Sequence, residues 1–316
     1  MHSIKIGVDV GNYDVKTQNT IVPSGYASSV IKPLLADEFL YYGGMYYYAS
    51  AERLAVIADK TVNDQCIILS LIAIAKEILF TLQNDKNVKD LQKAITDIKE
   101  IKLGIGLPPG QLNALADKTI KAYEDAMRLG IQYSFGNYNF SFRLSKCKVF
   151  PQDFTGAFLN PECSIPKKYS RYYIVGIGGG TADVIPVIDN MPDVDNCDSF
   201  PYGTRIMYSK VIRSVRKQTG VTIRENTVED VLRGRQTILK SDVTKAIFDC
   251  SAAFTNEFFN ECSQNGYEFR ELPVVFIGGG PLLLQKIIDK NPLLCEEHEY
   301  IKDVHANAKY YAMYID

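Results

Sequence analysis

The sequence predicts an α/β protein made of two similar halves. Its 316 residues are about twice the usual length of one domain, so two domains are expected. Strand-like and helix-like segments alternate along most of the chain, which is typical of α/β folds. Two glycine-rich turns, at residues 8–15 and 175–184, each follow an apolar strand and lead through Asp-Val into a second strand. This echo indicates an internal duplication.

The composition is that of a globular protein without a strong overall charge. Hydrophobic residues make up 46% and charged residues 23% of the chain, which excludes a disordered polypeptide. Lysine and arginine number 35 against 37 acidic residues, so the net charge is only −2. A general nucleic-acid-binding surface is therefore not expected, and any contact with DNA should be indirect.

Cysteine and histidine usage argues against disulfide, zinc and histidine chemistry. The seven cysteines are odd in number and contain no Cys-x-x-Cys pair, so free thiols in a reducing cytoplasm are expected. The first residues, Met-His-Ser-Ile-Lys, lead straight into a strand pattern and do not resemble a signal peptide. The three histidines lack metal-ligand spacing.

The first half begins with a strand at Ser3–Val10, which a glycine turn connects to a second short strand ending near Val15. The apolar segment 66–80 predicts a buried helix capped by Asn63 or Asp64, with an interfacial membrane helix as the weaker alternative. Further elements are expected as a strand at 98–107, a helix at 111–129, a hairpin at 131–142 and a short strand at 148–150.

The second half begins with a strand at 171–175 that runs into the second glycine turn. The later elements are expected as a polar loop at 189–199, helices at 204–220 and 242–263, and a buried strand at 272–277. Three consecutive glycines follow that strand, and Pro281 lies in the first turn of the next helix, where proline is tolerated.

The two glycine turns suit the binding of phosphate. A tight turn after a strand exposes backbone N–H groups, and glycine lets a phosphate approach them closely. Asp9 ends its strand, where it can hold a magnesium ion, and Lys16 can neutralise phosphate charge. The strand–Gly-Gly-Gly–helix junction at 278–280 allows a flat group to pack on bare backbone. A nucleotide satisfies all three sites, although neither a Walker A nor a Rossmann fingerprint is present.

Five segments in order resemble the actin/Hsp70/sugar-kinase ATPase superfamily. They are the two phosphate hairpins at 9–16 and 176–184, the connecting helices at 150–157 and 304–311, and the adenosine motif at 276–281. The resemblance implies an α/β, duplicated actin-like (ribonuclease H-like) fold with two domains around a nucleotide cleft. One domain would comprise residues 1–155 and 303–316, with a small subdomain at about 20–95, and the other residues 156–302.

Within that superfamily, the Gly-Leu-Pro-Pro-Gly segment at 106–110 and the Ala-Asn-Ala segment at 306–308 resemble the plasmid-segregating actin-like ATPases of the ParM type. That likeness implies ATP or GTP with Mg²⁺ as cofactors. It also implies head-to-tail filaments and an adaptor of the ParR type that binds a centromere-like DNA site. The implied location is the bacterial cytoplasm, without membrane contact.

The resemblance assigns site residues one by one. Gln152 falls where relatives orient the attacking water, and the neighbouring Asp153 is the competing candidate. Asp9 and Asp183 are the metal-associated carboxylates. The nucleotide contacts are expected from Gly11, Asn12, Tyr13, Lys16, Gly178, Gly179, Gly180, Thr181, Gly203, Gly278, Gly279 and Gly280.

Two positions depart from the family pattern. Gly176 stands where relatives carry an aspartate at the start of the second hairpin, which predicts slower hydrolysis. Lys309 replaces a small residue of the second connecting helix. Two other functions therefore stay open. A small-molecule kinase would show turnover that rises with its acceptor, and a non-hydrolysing nucleotide-binding scaffold would leave the nucleotide intact.

Overall fold

The structure is a computed structural model that describes residues 3–34, 37–50, 64–127 and 130–316. The chain divides into two compact units. Unit 1 comprises Met1–Leu159 and His305–Asp316, and unit 2 comprises Asn160–Val304. The sequence-based boundaries lie at 155 and 303, close to these two crossings.

The described residues contain the following elements. The strands are β1 (Ser3–Val10), β2 (Asp14–Lys16), β3 (Ile21–Pro23), β4 (Tyr26–Ser29), β5 (Leu40–Tyr42), β6 (Met45–Ala49), β7 (Glu100–Leu107), β8 (Ile131–Phe135), β9 (Tyr138–Pro151), β10 (Arg171–Ile177), β11 (Ala182–Ile188), β12 (Met191–Pro192), β13 (Asp198–Phe200), β14 (Val274–Ile277) and β15 (His298–Tyr300). The helices are α1 (Gln65–Gln83), α2 (Leu91–Thr96), α3 (Leu112–Met127), α4 (Phe154–Phe158), α5 (Ile165–Lys168), α6 (Thr204–Thr219), α7 (Glu225–Leu232), α8 (Ser241–Gln264), α9 (Gly279–Ile288) and α10 (Ala306–Met313).

Unit 1 is built on one mixed sheet, whose described strands run in the order β3-β2-β1-β7-β9-β8-β5-β6-β4. The central strands β1, β7 and β9 are parallel, and the flanking pairs are antiparallel. Ile6 and Val8 of β1 and Leu103 of β7 alternate onto the same face and join the main apolar core. The carboxyl ends of the parallel strands therefore meet at one edge of the sheet, where Asp9 lies.

Helix α1 lies within that core. Its apolar residues surround the helix because almost every side is buried, as expected for a core helix. The helix is long and apolar enough to cross a membrane, but 72% of its most apolar 18-residue segment is buried inside the protein. Asp64 precedes its first turn without a side-chain capping bond.

One carboxylate on α1 anchors the segment that follows the first glycine turn. Glu77 is only 1% exposed, although it lies on an apolar helix. Its carboxylate accepts hydrogen bonds from the Thr17 hydroxyl, from the Asn19 backbone N–H at 3.0 Å and from the Asn19 side-chain amide at 2.6 Å. The charge is thus buried together with several donors, which offset its loss of hydration.

The opposite face of the central strands carries helix α10 at very short range. A Cβ atom placed on Gly7 would lie 1.9 Å from the carbonyl oxygen of Ala308. A Cβ atom on Gly104 would lie 2.7 Å from the Cβ of Tyr311. The two glycines are register partners in β1 and β7, so together they form a flat seat for the helix.

Unit 2 has a second sheet, in the order β12-β11-β10-β14-β15, with β13 paired to β11. Strands β10, β14 and β15 are parallel. All four residues of β14 are buried, as expected for a central strand covered on both faces. Gly176 of β10 pairs with Ile277 of β14, so both strands end at the same edge.

The structure corrects two sequence predictions. The segment 148–150 is not a separate short strand, because it is the end of the 14-residue strand β9. The segment 189–199 is not wholly a loop, because it contains β12 and the start of β13. Asn63 and the last residues of the helix predicted at 111–129 lie outside the described residues. The described residues of the range 20–95 contribute to unit 1.

Replacing Glu77 with alanine should destabilise unit 1. The Glu77→Ala change leaves the Thr17 hydroxyl and the Asn19 amide without their buried acceptor, which should lower the free energy of unfolding by about 3 kcal/mol. Lys76→Ala on the same helix removes only an exposed ion pair to Glu38 and should cost less than about 1 kcal/mol. Chemical denaturation measures both changes, and equal losses would contradict the anchoring role of Glu77.

Candidate functional site

The first glycine turn is held in place by bonds to its own carbonyl groups. Gly11 N–H donates to the carbonyl oxygen of Asp14 at 3.2 Å, and a Cβ atom on Gly11 would lie 2.7 Å from that oxygen. Ser24 N–H donates to the Tyr13 carbonyl at 3.0 Å, and the Ser24 hydroxyl donates to the Gly11 carbonyl. The carbonyls are thus directed into the protein, and the backbone N–H of Asn12 forms no hydrogen bond within the described residues.

Asp9 and Lys16 lie on one face of the first hairpin. They are antiparallel register partners in β1 and β2, so their side chains project to the same side. The structure therefore places on one face the two residues for which the sequence predicts metal and phosphate contacts.

A buried polar cluster surrounds Asp9 at the end of β1. Asn307 of α10 donates through Nδ2 to Asp9 Oδ2 at 3.2 Å and to Asp153 Oδ1 at 2.9 Å. Its Oδ1 accepts the backbone N–H of Asp153 at 3.1 Å. Asp9, Asp153 and Asn307 are 6%, 8% and 6% exposed, so the carboxylates lie close together in a poorly hydrated place.

Asp153 and Gln152 form the turn between β9 and α4. Asp153 has a φ of 63°, in a region that side chains other than glycine rarely adopt. Gln152 N–H donates to the Leu107 carbonyl at 2.7 Å, and the Gln152 carbonyl accepts from Phe154 N–H at 2.7 Å. The backbone of Gln152 thus secures the turn, while its half-buried side chain makes no hydrogen bond in the described chain.

The hydroxyl of Tyr311 lies beside this cluster. A Cβ atom on Gly106 would lie 2.3 Å from that hydroxyl oxygen, so glycine is required for the tyrosine to fit. Burial raises the pKa of Tyr311 well above its usual value, and the charges of Asp9 and Asp153 raise it further. The side chain is therefore neutral, and it stacks on Phe150 with ring centroids 5.3 Å apart.

The second glycine turn presents a row of backbone donors. Gly178 N–H closes the turn onto the Thr181 carbonyl at 2.9 Å. Among the described residues, the N–H groups of Gly179, Gly180 and Thr181 form no hydrogen bond. Three consecutive N–H groups of this kind form a concave donor surface that suits an anion.

Helix α6 fixes the orientation of that turn. Thr204 N–H donates to the Gly178 carbonyl at 2.9 Å, and Arg205 N–H donates to the Gly179 carbonyl at 3.0 Å. A Cβ atom on Gly203 would lie 2.3 Å from the Gly180 carbonyl carbon, so only glycine permits this docking. Gly203 therefore packs against the backbone of the turn, and this contact helps to direct the N–H groups of the turn outward.

Asp183 follows the second turn within unit 2. One of its carboxylate oxygens accepts from the Thr181 hydroxyl at 3.4 Å, and the other accepts from the Ser199 hydroxyl. It is the register partner of Gly176, which is buried in β10. Its role in metal binding stays a prediction.

The three glycines after β14 pack against the end of β10. Gly278 has a φ of 100°, which favours glycine, and it precedes the first turn of α9. A Cβ atom on Gly280 would lie 2.6 Å from both the carbonyl oxygen and the Cγ2 atom of Ile177. Gly279 has no neighbouring atom within 4 Å of such a Cβ position. The junction thus lies beside the second turn, on the same edge of the sheet.

Asp9 fits a bound cation. Its Oδ1 is buried and has no hydrogen-bond partner among the described residues, which is costly for a carboxylate oxygen unless a ligand satisfies it. The described residues contain no cluster of three or more His, Cys, Asp or Glu side chains. Mg²⁺ commonly uses only one or two carboxylates and takes its other ligands from water and phosphate oxygens. A magnesium ion at Asp9 is compatible with this donor set.

Sequence reasoning missed the contacts that hold the site together. Asn307 is the main omission, since the Ala-Asn-Ala segment indicated a family likeness but no role for its amide. Gly7 was missed because a glycine inside a strand pattern gives no turn signal. The predicted residues Asp9, Gly11, Asn12, Tyr13, Lys16, Gln152 and Asp153 lie in unit 1, and Gly178, Gly179, Gly180, Thr181, Asp183, Gly203, Gly278, Gly279 and Gly280 lie in unit 2.

Two compact α/β units, each with a glycine hairpin after its central strand, define the actin-like fold, and comparison with known proteins agrees. The family model for the C-terminal part of archaeal MreB-like actin homologues matches residues 174–290, which lie within unit 2. None of the curated proteins matches the chain.

Solved structures match the chain from end to end. The archaeal actin homolog Ta0583 is 18% identical, with a TM-score of 0.74 over 100% of this chain and 99% of that one. A ParM filament subunit from Clostridium botulinum is 16% identical, with a TM-score of 0.71 over 100% and 99% of the two chains. Bacillus thuringiensis ParM with ATP is 11% identical, with a TM-score of 0.62 over 99% and 98%. The chain therefore has the actin-like fold.

Two neighbouring glycines provide a matched test of the third glycine cluster. Gly280→Ala places a methyl group against the backbone of Ile177 and should lower the free energy of unfolding by about 1–3 kcal/mol. Gly279→Ala meets open space in the first helical turn and should be neutral or stabilising by about 0.5–1 kcal/mol. Thermal or chemical unfolding compares them. Equal stability of the two variants would show that the close packing at Gly280 is unimportant.

Proposed function

We propose that this protein is a nucleotide-dependent, filament-forming actin-like protein that hydrolyses ATP or GTP with Mg²⁺. The observation that carries the proposal is the turn Gly178–Thr181. Its N–H groups at 179–181 form no hydrogen bond within the described residues, while the carbonyls of Gly178 and Gly179 accept from α6. A row of backbone donors of this kind suits an anion such as a phosphate group. The first hairpin, with Asn12 and Lys16, supplies a second set of phosphate contacts.

The unsatisfied oxygen of Asp9 supports a role for magnesium. A bound Mg²⁺ would neutralise phosphate charge and polarise the transferred phosphoryl group. In the part of the chain that the structure describes, Asp9 Oδ1 has no donor, so it can accept a hydrogen bond from a metal-bound water or coordinate the ion directly. Asp9 Oδ2 accepts a hydrogen bond from Asn307. One oxygen of the carboxylate thus fixes its orientation, and the other is the one we propose for the metal site.

Gln152 is the residue we propose to orient the attacking water. Its backbone N–H and carbonyl form hydrogen bonds with Leu107 and Phe154, so the position from which its side chain extends is fixed. An amide can hold a water molecule but is a poor base, so slow hydrolysis is expected. Asp153 is less suited to this task, because Asn307 already binds its carboxylate.

The assembly proposal rests on the end-to-end match to filament subunits. The Clostridium botulinum ParM subunit is matched over 100% of this chain and 99% of its own length, so the two aligned chains differ by no large inserted domain. Filament formation therefore suits the chain better than a small-molecule kinase function. Head-to-tail contacts of identical subunits generate open polymers when the rotation between subunits does not close into a ring.

We further propose that the filament segregates plasmid DNA through a centromere-binding adaptor of the ParR type. The net charge of −2 supports an indirect contact with DNA. We propose a cytoplasmic location, which the odd number of cysteines and the lack of a Cys-x-x-Cys pair support. Burial raises the pKa of the thiols of Cys147 and Cys163 to about 12, so these two are unreactive there.

Polymerisation should depend on nucleotide. With Mg²⁺ and ATP or GTP, the protein at micromolar concentration should sediment as filaments that are visible by negative-stain electron microscopy. Without nucleotide, or with EDTA, it should stay in the supernatant. Absence of polymer with both nucleotides across this concentration range would refute the assembly proposal, and turnover that rises only with an added sugar would favour a kinase.

Gln152→Ala should separate hydrolysis from binding. Loss of the amide that orients water should reduce phosphate release by about tenfold or more, and filaments should persist longer because the nucleotide stays intact. Gln132→Ala, an exposed glutamine on β8, is the control and should behave as wild type. Phosphate release and the disassembly rate measure the effect, and unchanged turnover in Gln152→Ala would remove this residue from the mechanism.

A further inference from the structure

The position of Asn307 is fixed more tightly than that of an ordinary helix residue. Asn307 is the second residue of α10, and the next residue, Ala308, rests with its carbonyl directly on Gly7 of β1. A helix in backbone contact with a strand cannot shift without losing close packing. The backbone position of Asn307, from which its side chain extends, is therefore closely fixed by packing.

Almost all of the hydrogen-bonding capacity of the Asn307 amide is used. Both hydrogens of Nδ2 are taken by carboxylate oxygens, one of Asp9 and one of Asp153. The Oδ1 atom accepts the backbone N–H of Asp153. Because that partner can only donate, the network assigns the oxygen and nitrogen of the amide without ambiguity.

The neutral charge of this side chain matters for a cation site. A lysine or arginine at position 307 would also hold two carboxylates together, but it would cancel the negative charge that attracts a metal ion. An aspartate would add charge but could not donate to either carboxylate. Asparagine joins the two carboxylates and leaves their charge available.

Asn307 also stabilises an unfavourable backbone conformation. Asp153 has a φ of 63° in the turn before α4, and such a conformation costs about 1–3 kcal/mol unless neighbouring groups enforce it. The hydrogen bond from Asp153 N–H to Asn307 is a direct enforcing contact at this residue. The placement of Asp153 therefore depends on Asn307.

We propose that Asn307 is a positioning residue for the magnesium–phosphate site: it holds Asp9 and Asp153 in one arrangement and so leaves Asp9 Oδ1 free for the cation. This inference rests on the proposed nucleotide function. It places the second connecting helix, which begins where the chain returns to unit 1 at His305, in direct contact with the metal-binding carboxylate. Asn307 acts through the two aspartates and touches no substrate.

The test compares Asn307→Ala with Asn291→Ala. Asn291 is a matched control, because it is 7% exposed, lies in unit 2 and also makes buried amide hydrogen bonds, to Asn256 and to Leu293 N–H. Binding of a fluorescent ATP analogue is titrated with Mg²⁺. Asn307→Ala should raise the Mg²⁺ concentration for half-maximal binding by about tenfold or more. It should change binding in EDTA by less than about twofold, a difference too small to reflect lost phosphate contacts.

A second readout needs neither nucleotide nor turnover. In the nucleotide-free protein, hydrogen exchange at the Asp153 amide should accelerate at least about tenfold in Asn307→Ala, because its acceptor is lost. It should be unchanged in Asn291→Ala. Asn307→Ser, which keeps a small polar side chain, should show intermediate values of both quantities and serves if the alanine variant does not fold.

The outcomes separate this inference from the proposed function. An unchanged Mg²⁺ midpoint together with unchanged Asp153 exchange would overturn the role of Asn307, even if the wild type binds nucleotide well. If the wild type binds no nucleotide, the proposed function fails. In that case unchanged Asp153 exchange overturns the positioning role, and accelerated exchange supports it.

Discussion

The structure of unit 1 depends on one contact, the approach of helix α10 to the backbone of β1 and β7. Gly7 and Gly104 have no side chains, and the helix occupies the volume where those side chains would be. Alanine at Gly7 would place a methyl carbon 1.9 Å from the Ala308 carbonyl oxygen, far inside the contact distance. The helix would then have to move away, and the buried surface beneath it would have to open.

The chemistry of the site follows from that contact. Because α10 lies against the sheet, Asn307 reaches the ends of β1 and β9 at the same time and bonds to Asp9 and Asp153. The same approach buries Tyr311 over Gly106 and excludes water from one side of the carboxylates. In such a place, hydrogen bonds and charges act more strongly than at the surface. Within the described residues, Asp9 Oδ1 has no donor in this place, and such an oxygen suits a cation.

Much of the fold could be predicted from local patterns, whereas the connections within the site could not. The strand Ser3–Val10, the buried helix near 66–80 and the hairpin around Gly136 and Asn137 follow from periodicity and turn chemistry over a few residues. The bond from Asn307 to Asp9 joins residues 298 positions apart, and no local pattern encodes it. The left-handed φ of Asp153 is likewise a property of the packed turn, since aspartate alone does not predict it.

Unit 2 also depends on glycines that allow close backbone contacts, and its glycines differ in how closely their neighbours approach. At Gly203 and Gly280 the missing side chain allows backbone to meet backbone, so these positions determine where the donor groups of the second turn are directed. Gly279 has open space around it, so a side chain at this position would meet no packed neighbour. Gln152 of unit 1 differs from these glycines. Its backbone holds the turn before α4, while its side-chain amide forms no hydrogen bond within the described residues. Substitution at such a glycine therefore affects the fold and the site together, whereas substitution of the Gln152 side chain should leave the packing of its turn intact.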